Sequence, residues 1–480
     1  MNRSLRLPAS LSLRPRSLVL ALCLCGMAGC AVGPQYQQPA AAVPAAFKEA
    51  QGWVQAAPAD AFDRGEWWTL FGDPALNELA AAVEVSNQNV AAAAAAYAQA
   101  RALVGQQRAA LFPEVSLNAD ASRSGTRGGT GTATASSRSG TSYQASIGGS
   151  WEPDVWGRLH RAVASAGASA QASEADLASA RLSAQGELAL NYFSLRAADA
   201  QLTLLRDTIA GYQRVLQITR NRYNAGIAPK TDLLQSQTQL ASAQADYEDV
   251  SRQRAQLEHA IAVLVGKAPG DFTLAPAAWN ISVPQVPVGL PSALLQRRPD
   301  IAAAERRVAV ANENIGIAQA AYYPSFLLSA SYGSTASRVA DLFSAPTSLW
   351  SLGLSAAQTL FDAGATRARV AGARAAHEQA VAIYRQTVLT AFQGVEDQLA
   401  AIQTLARQEE LRREASRAAD EAEAQMLNRY SAGQVVYTDV VTAQVTALSA
   451  RRALVQVQAN RQAAAIALIQ ALGGGWQVAQ

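Results

Sequence analysis

The chain predicts a mainly α-helical fold with a membrane β component: a duplicated unit of long coiled-coil-like helices, with four strands per chain. The first observation behind this is a repeat. Arg222-Tyr223-Asn224-Ala225-Gly226 with Thr231-Asp232-Leu233 recurs as Arg429-Tyr430-Ser431-Ala432-Gly433 with Thr438-Asp439-Val440, 207 residues on (429 − 222). Gly157 and Gly364 keep that offset, as do Val265-Gly266 and Leu472-Gly473, whereas Phe112-Pro113 and Tyr323-Pro324 stand 211 apart. One length difference therefore lies between Pro113 and Gly157 in an otherwise ungapped duplication, which implies pseudo-symmetric architecture. The second observation is a pair of period-2 segments after each of those prolines, and the third is a run of apolar residues stepping by alternating four and three.

The 480 residues suffice for two or three ordinary domains, but alanine dominates, glutamine is abundant and aromatics are only 6%. Together with helical patterns far longer than the usual 8 to 20 residues, this favours long packed helices over compact enzyme domains.

Residues 1–29 read as a signal peptide, with Arg3, Arg6, Arg14 and Arg16 ahead of the apolar run Leu18 to Leu24 and the small-residue site Met27-Ala28-Gly29-Cys30. The segment resembles a bacterial lipoprotein signal, which implies that Cys30 becomes the first mature residue and carries covalent lipid; ordinary secretory cleavage nearby is the alternative. Met27 stands where that family usually has leucine. Removal of 1–29 takes four arginines and no acid, moving the formal charge from +3 to −1 (3 − 4). No basic field remains for nucleic acid. Cys23 and Cys25 leave with the signal, so an intramolecular disulfide is not available to the mature chain.

Residues 30–73 form an N-terminal tether or belt. Pro34, Pro39, Pro44 and Pro58 keep its first part extended, and the Trp67-Trp68 cluster closes it. The first repeat spans 74–266. Asp73 and Pro74 start a helix by side-chain capping and a proline at the first position, and that helix is expected to run to about Leu111.

After Pro113 the pattern alternates: Val115, Leu117, Ala119 and Ala121 against Glu114, Ser116, Asn118 and Asp120. Alternation resumes with Tyr143, Ala145, Ile147, Gly149 and Trp151, which makes 113–151 a hairpin with a long Gly/Ser/Thr loop. In the second repeat, 292–472, the hairpin falls at 325–360, where Phe326, Leu328, Ala330 and Tyr332 answer Trp350, Leu352, Leu354 and Ala356. Each strand is about ten residues, long enough to cross a bilayer obliquely. A soluble hairpin with one buried face is the competing reading. Four strands cannot close a barrel, and an open edge is not tolerated in lipid, so a membrane role requires several chains.

Helices from about Arg158 to Tyr223 and Ala365 to Tyr430 follow, each roughly 100 Å long at ~1.5 Å per residue. In the first, Leu188, Tyr192, Leu195, Ala198, Leu202, Leu205, Ile209, Tyr212, Leu216, Thr219 and Tyr223 make a coiled-coil seam. The second keeps Val395, Leu399, Ile402 and Leu405 and then turns polar, so its seam is weaker or shifted. Gly226 and Gly433 end these helices as C-cap glycines, which gives turns at 223–232 and 430–439. Residues 267–291 form a proline-containing belt linker, and 473–480 form a tail.

Several of these segments together resemble the outer membrane factors of Gram-negative efflux and secretion systems, the TolC/OprM-like proteins, in particular their NodT-like lipoprotein branch. The resemblance rests on Cys30-Ala31-Val32-Gly33-Pro34 with Tyr36 and Pro39, Trp67-Trp68 to Asp73-Pro74, Leu295-Gln296-Arg297-Arg298-Pro299-Asp300-Ile301 through Ala304-Glu305 and Ile315-Gly316 to Tyr323-Pro324, and the two Arg-Tyr-x-x-Gly turns. It implies a homotrimer with a 12-stranded outer membrane β-barrel and a periplasmic α-barrel. It further implies that the turns form a periplasmic tip, where a periplasmic adaptor (membrane fusion protein) docks for an inner membrane pump, first of all one of resistance-nodulation-division type.

Tyr223, Gly226, Tyr430 and Gly433 match the family's docking positions. Asp232 and Asp439 match positions where some relatives carry gate carboxylates, and helix N-capping is their alternative role. Thr442 departs from relatives with a second aspartate there. The expected function is a passive outer membrane channel of a tripartite efflux system; a type I secretion duct and a non-conducting structural coiled-coil lipoprotein are the alternatives. Catalysis, metal and cofactor chemistry are not expected: His160, His259 and His377 are isolated, and neither His-Glu-x-x-His nor a phosphate-binding glycine loop occurs.

Overall fold

The computed structural model describes residues 32–49, 64–126, 138–284, 297–342, 344 and 347–474. The signal peptide, Cys30, the distal part of the belt linker and most of the C-terminal tail lie outside the described residues. Seven α-helices and four strands are described: α1 (Pro74–Ser86), α2 (Gln88–Ala109), β1 (Glu114–Thr126), β2 (Arg138–Trp151), α3 (Arg158–Asn224), α4 (Lys230–Leu264), α5 (Pro299–Ala320), β3 (Ser325–Ala336), β4 (Ser348–Ala357), α6 (Ala365–Ser431) and α7 (Tyr437–Ala471). The duplication is metric. α3 and α6 are both 67 residues long and α4 and α7 both 35, each pair 207 apart, while α2 and α5 are both 22 residues long and 211 apart.

The chain divides into two compact units that both draw on both repeats. The first takes the described parts of Met1–Pro39, Gln99–Gln171 and Glu305–Ala382, and contains the sheet. Pro113 and Pro324 follow α2 and α5 and halt helical hydrogen bonding, after which alternating sequence takes up strand. The N-terminal segment is fastened here: the Val32 amide donates to the Trp156 carbonyl, and the buried Arg161 guanidinium donates to the Pro34 carbonyl and to Glu313.

The second unit takes the described parts of Ala40–Ala98, Ala172–Ala304 and Ile383–Gln480. Trp67, Trp68 and Phe71 are buried, Phe71 lies against Phe193, and the Trp67 indole donates to Gln185. Asp73 caps α1 as expected, accepting from the Ala75 and Leu76 amides. The single helix expected from Pro74 to about Leu111 is instead two. Asn87 adopts an extended conformation, caps α2 by accepting from the Asn89 and Val90 amides, and donates its side-chain amide to the Leu264 carbonyl at the end of α4. A buried asparagine that satisfies both a helix start and a distant helix end outweighs the helix propensity of its neighbours.

The seam of α3 is as expected as far as Leu205; beyond it Tyr212 and Thr219 are buried as expected, but Thr208 and Val215 are buried in place of Ile209 and Leu216. The α6 seam does not shift. It keeps its spacing through Val395 and Leu399 and then buries Glu409 and Ser416, with Glu409 bound by Arg413, Arg461 and Gln458. Extended segments are strapped to these helices. The Lys48 and Glu49 amides donate to Glu396, Arg254 and Glu258 hold the Leu274 backbone, and Gln462 donates to the Asn280 and Ser282 carbonyls.

Candidate functional site

The first candidate surface is the sheet, ordered β1-β2-β3-β4 and wholly antiparallel. Its register aligns residues of one character across all four strands. Leu117, Ile147, Tyr332 and Trp350 form one row, and Val115, Gly149, Ala330 and Leu352 the next on the same face. The opposite face carries Ser116, Gly148, Ser331 and Ser351, with the Ser331 and Ser351 hydroxyls 2.8 Å apart. The apolar residues are solvent-exposed, Trp350 at 78% and Leu352 and Leu354 at 70% each. This is the reverse of a soluble hairpin, which would cover that face.

The second candidate surface is the pair of helical turns. Both close in the same way: the Gly226 amide donates to Tyr223 and that of Ile227 to Arg222, and the Gly433 amide donates to Tyr430 and that of Gln434 to Arg429. The glycines sit at φ +70° and +76°, the left-handed conformation such a cap requires. The two turns differ inside. Tyr430 is 3% exposed, against 38% for Tyr223, because the Arg222 guanidinium lies 4.7 Å over the Tyr430 ring and donates to its carbonyl at 2.8 Å. Tyr430 also packs with Tyr437, Val440 and Val215. Tyr430, expected on the docking surface, is thus an interior residue, while Tyr223, Gly226, Ile227 and Gly433 face outward.

Asp232 and Asp439 do not cap their helices. Pro229 and Val436 stand at the N-cap positions without side-chain caps, and the aspartates lie in the first turns, where the helix dipole favours a negative charge. Asp232 is half-buried, and burial lifts its pKa above the usual aspartate value against the opposing pull of Arg222. Burial likewise raises the Tyr437 phenol, reinforced by Tyr430, Tyr212 and Asp232. Asp439 is exposed, and Thr442 is exposed with its hydroxyl donating back to the Thr438 carbonyl.

Tyr437 was not singled out from the sequence, and Arg222 and Val440 entered only as members of the repeated motif, without a role. The available signal was a break in the repeat, since Tyr437 stands where the first copy has Lys230. Among the described residues no group of acids, histidines and cysteines is placed to hold a metal ion, and no helix is long and apolar enough to cross a membrane.

The family model for outer membrane efflux proteins matches residues 79–267 and 290–474. The two matched spans start 211 residues apart (290 − 79) and end 207 apart (474 − 267), the offsets of the internal repeat. The chain is 32% identical over 472 residues to the pyoverdine export outer membrane protein OpmQ of Pseudomonas aeruginosa, covering 97% of this chain and 98% of that one. It is similar to the solved structure of the outer-membrane channel OprN, with TM-score 0.84 and 30% identity, covering 93% of this chain and all of that one. It is also similar to the open state of the Neisseria gonorrhoeae MtrE outer membrane channel, with TM-score 0.81 and 29% identity, covering 93% and 99%.

Proposed function

Because the chain belongs to the outer membrane efflux protein family, we propose that three copies of it assemble into one duct, fed by a periplasmic adaptor and an inner membrane pump of resistance-nodulation-division type. The efflux channel itself is passive. It performs no chemistry on what it carries, and small polar residues on the inner sheet face give cargo little to bind.

The observation that carries the assembly is the sheet. Its apolar face suits lipid, yet β1 and β4 each leave an edge whose backbone groups need partners inside a membrane. Pairing β4 of one copy with β1 of the next satisfies both edges, and three copies of four strands make a barrel of twelve. Cys30, two residues before the fastened Val32, would carry the lipid anchor at the membrane's periplasmic face.

At the tip, the exposed Tyr223, Gly226, Ile227 and Gly433 offer an adaptor its docking surface. The Arg222–Tyr430 contact beside Asp232 is the natural gate, and Asp439 adds an exposed carboxylate that a threefold assembly would turn into a ring. Among the described residues, the buried Arg222 Nε and Tyr430 hydroxyl have no hydrogen-bond partner. Each such group costs about 1–3 kcal/mol, which keeps this tip conformation from being so stable that it cannot open.

Cysteines at Ser116 and Ser351, on the inner face of the two edge strands, test the assembly with a flexible bis-maleimide linker. The double variant is expected to give a covalent ladder ending at three chains, and either single variant none. A ladder ending at two or four chains, or no ladder from channels that conduct, would contradict the trimer.

A further inference from the structure

We propose that the cavity between Val32, the end of α5 and the first turns of α6 binds the headgroup of an anionic phospholipid from the membrane's periplasmic leaflet. The proposal rests on the reading of the sheet as membrane-spanning. The cavity measures about 650 Å³ and is lined by Val32, Tyr322, Tyr323, Arg367, Val370 and Arg374, among others. That volume suits a headgroup with its glycerol.

Arg367 and Arg374 are two helical turns apart on one face of α6, roughly 10 Å along its axis. Both are exposed, and among the described residues neither has a hydrogen bond or ion pair. Two acids lie near in sequence: the Asp362 carboxylate accepts from the Gly364 and Thr366 amides and so occupies the N-terminus of α6, and Glu378, exposed four residues after Arg374, makes no ion pair with it among the described residues. The guanidiniums are left to face an outside anion, and they match phosphate by paired N–H donors.

The cavity's position selects a lipid. Tyr322 and Tyr323 come just before β3, where the apolar sheet face begins. Tyr322 is 47% exposed, and beyond β4 Leu360 and Phe361 are 92% and 86% exposed. Trp156 stacks on Tyr323 at 4.7 Å and donates to the Pro324 carbonyl. Exposed aromatics at the border of a transmembrane sheet mark the lipid–water interface, where headgroups lie. The lipid anchor expected on Cys30, two residues before Val32 in sequence, is uncharged at its glycerol and does not answer two guanidiniums. Val32 and Val370 give the wall an apolar side that a free phosphate ion would not use.

The test is native mass spectrometry of the full-length protein purified in detergent and incubated with phosphatidylglycerol or, separately, phosphatidylcholine, with excess inorganic phosphate as competitor. The wild type is expected to retain phosphatidylglycerol, not phosphatidylcholine, and to keep it in the presence of phosphate. The double variant Arg367→Gln/Arg374→Gln should lose retention by roughly tenfold or more, as removal of charged hydrogen bonds implies. Arg417→Gln, an exposed arginine far along α6, should retain lipid like the wild type. If the double variant melts early or changes assembly, each single glutamine variant carries the comparison.

Equal retention by wild type and the arginine variants, or equal retention of phosphatidylcholine, would overturn the site. Displacement by phosphate would assign the cavity to a free anion and overturn the lipid source. Channels that insert and conduct while lipid retention fails would sink this site and leave the efflux reading standing.

Discussion

Gly226 and Gly266 end consecutive helices with the same hydrogen-bonding turn, yet they meet different surroundings. Both have φ +70°, but a Cβ at Gly226 would meet open space, whereas one at Gly266 would lie 2.3 Å from the Ser86 carbonyl oxygen. Gly473 repeats the second situation against Arg297, at 2.5 Å. Gly226→Ala should therefore cost only the left-handed strain, about 1–2 kcal/mol, and leave the melting temperature close to wild type. Gly266→Ala should lower it clearly further, because backbone must move; equal melting of the two would refute this. Asp232 carries a pH dependence of defined sign. Its folded pKa is raised, so the folded tip binds more protons than the unfolded chain just above the ordinary aspartate range, and stability falls as pH rises through that window. Amide exchange at the turn, corrected for intrinsic rates, should show protection declining there in the wild type and not in Asp232→Asn. The turn glycines were legible because a left-handed cap leaves a residue-type signature. The burial of Tyr430 under Arg222 was not, because it depends on which hairpin faces which, and near-identical repeats do not say.

At the scale of elements, the strands were read nearly to their ends, since an exposed apolar face opposite a polar one enforces strict alternation, and the register then aligns like with like. The break at Asn87 was missed because alanine-rich flanks read as unbroken helix, while its cause lies at Leu264, far along the chain. The repeat shows the logic in hindsight: Arg298, the counterpart of Asn87 at offset 211, donates to the Ala471 carbonyl, the counterpart of Leu264 at offset 207. The polar seam of α6 makes a further prediction. Burial alone would raise the Glu409 pKa, but Arg461, Gln458 and Arg413 outweigh it and hold it below the usual glutamate value. Its stabilisation is present above the ordinary glutamate range and disappears as pH falls through the lowered folded value. Glu409→Gln should melt earlier than wild type at neutral pH, and the two curves should converge on acidification; a gap that persists in acid would show that packing, not charge, is lost.

At the scale of the whole molecule, the duplication carried the architecture. A ladder that cannot close with four strands already demanded other copies of the chain, and the family membership supplies the kind of machine to which such a sheet belongs. Cargo stays illegible for a physical reason, since a passage lined by small polar positions such as Ser116, Gly148, Ser331 and Ser351 discriminates little among solutes. The most direct measurement is single-channel current across planar bilayers holding the purified protein, comparing wild type with Asp232→Ala, Asp439→Ala and Arg222→Ala. The duct account predicts discrete, uniform conductance steps, small in the wild type and larger when the Arg222–Tyr430 contact is removed. Absence of channels from every variant, despite correctly assembled protein in the membrane, would contradict it.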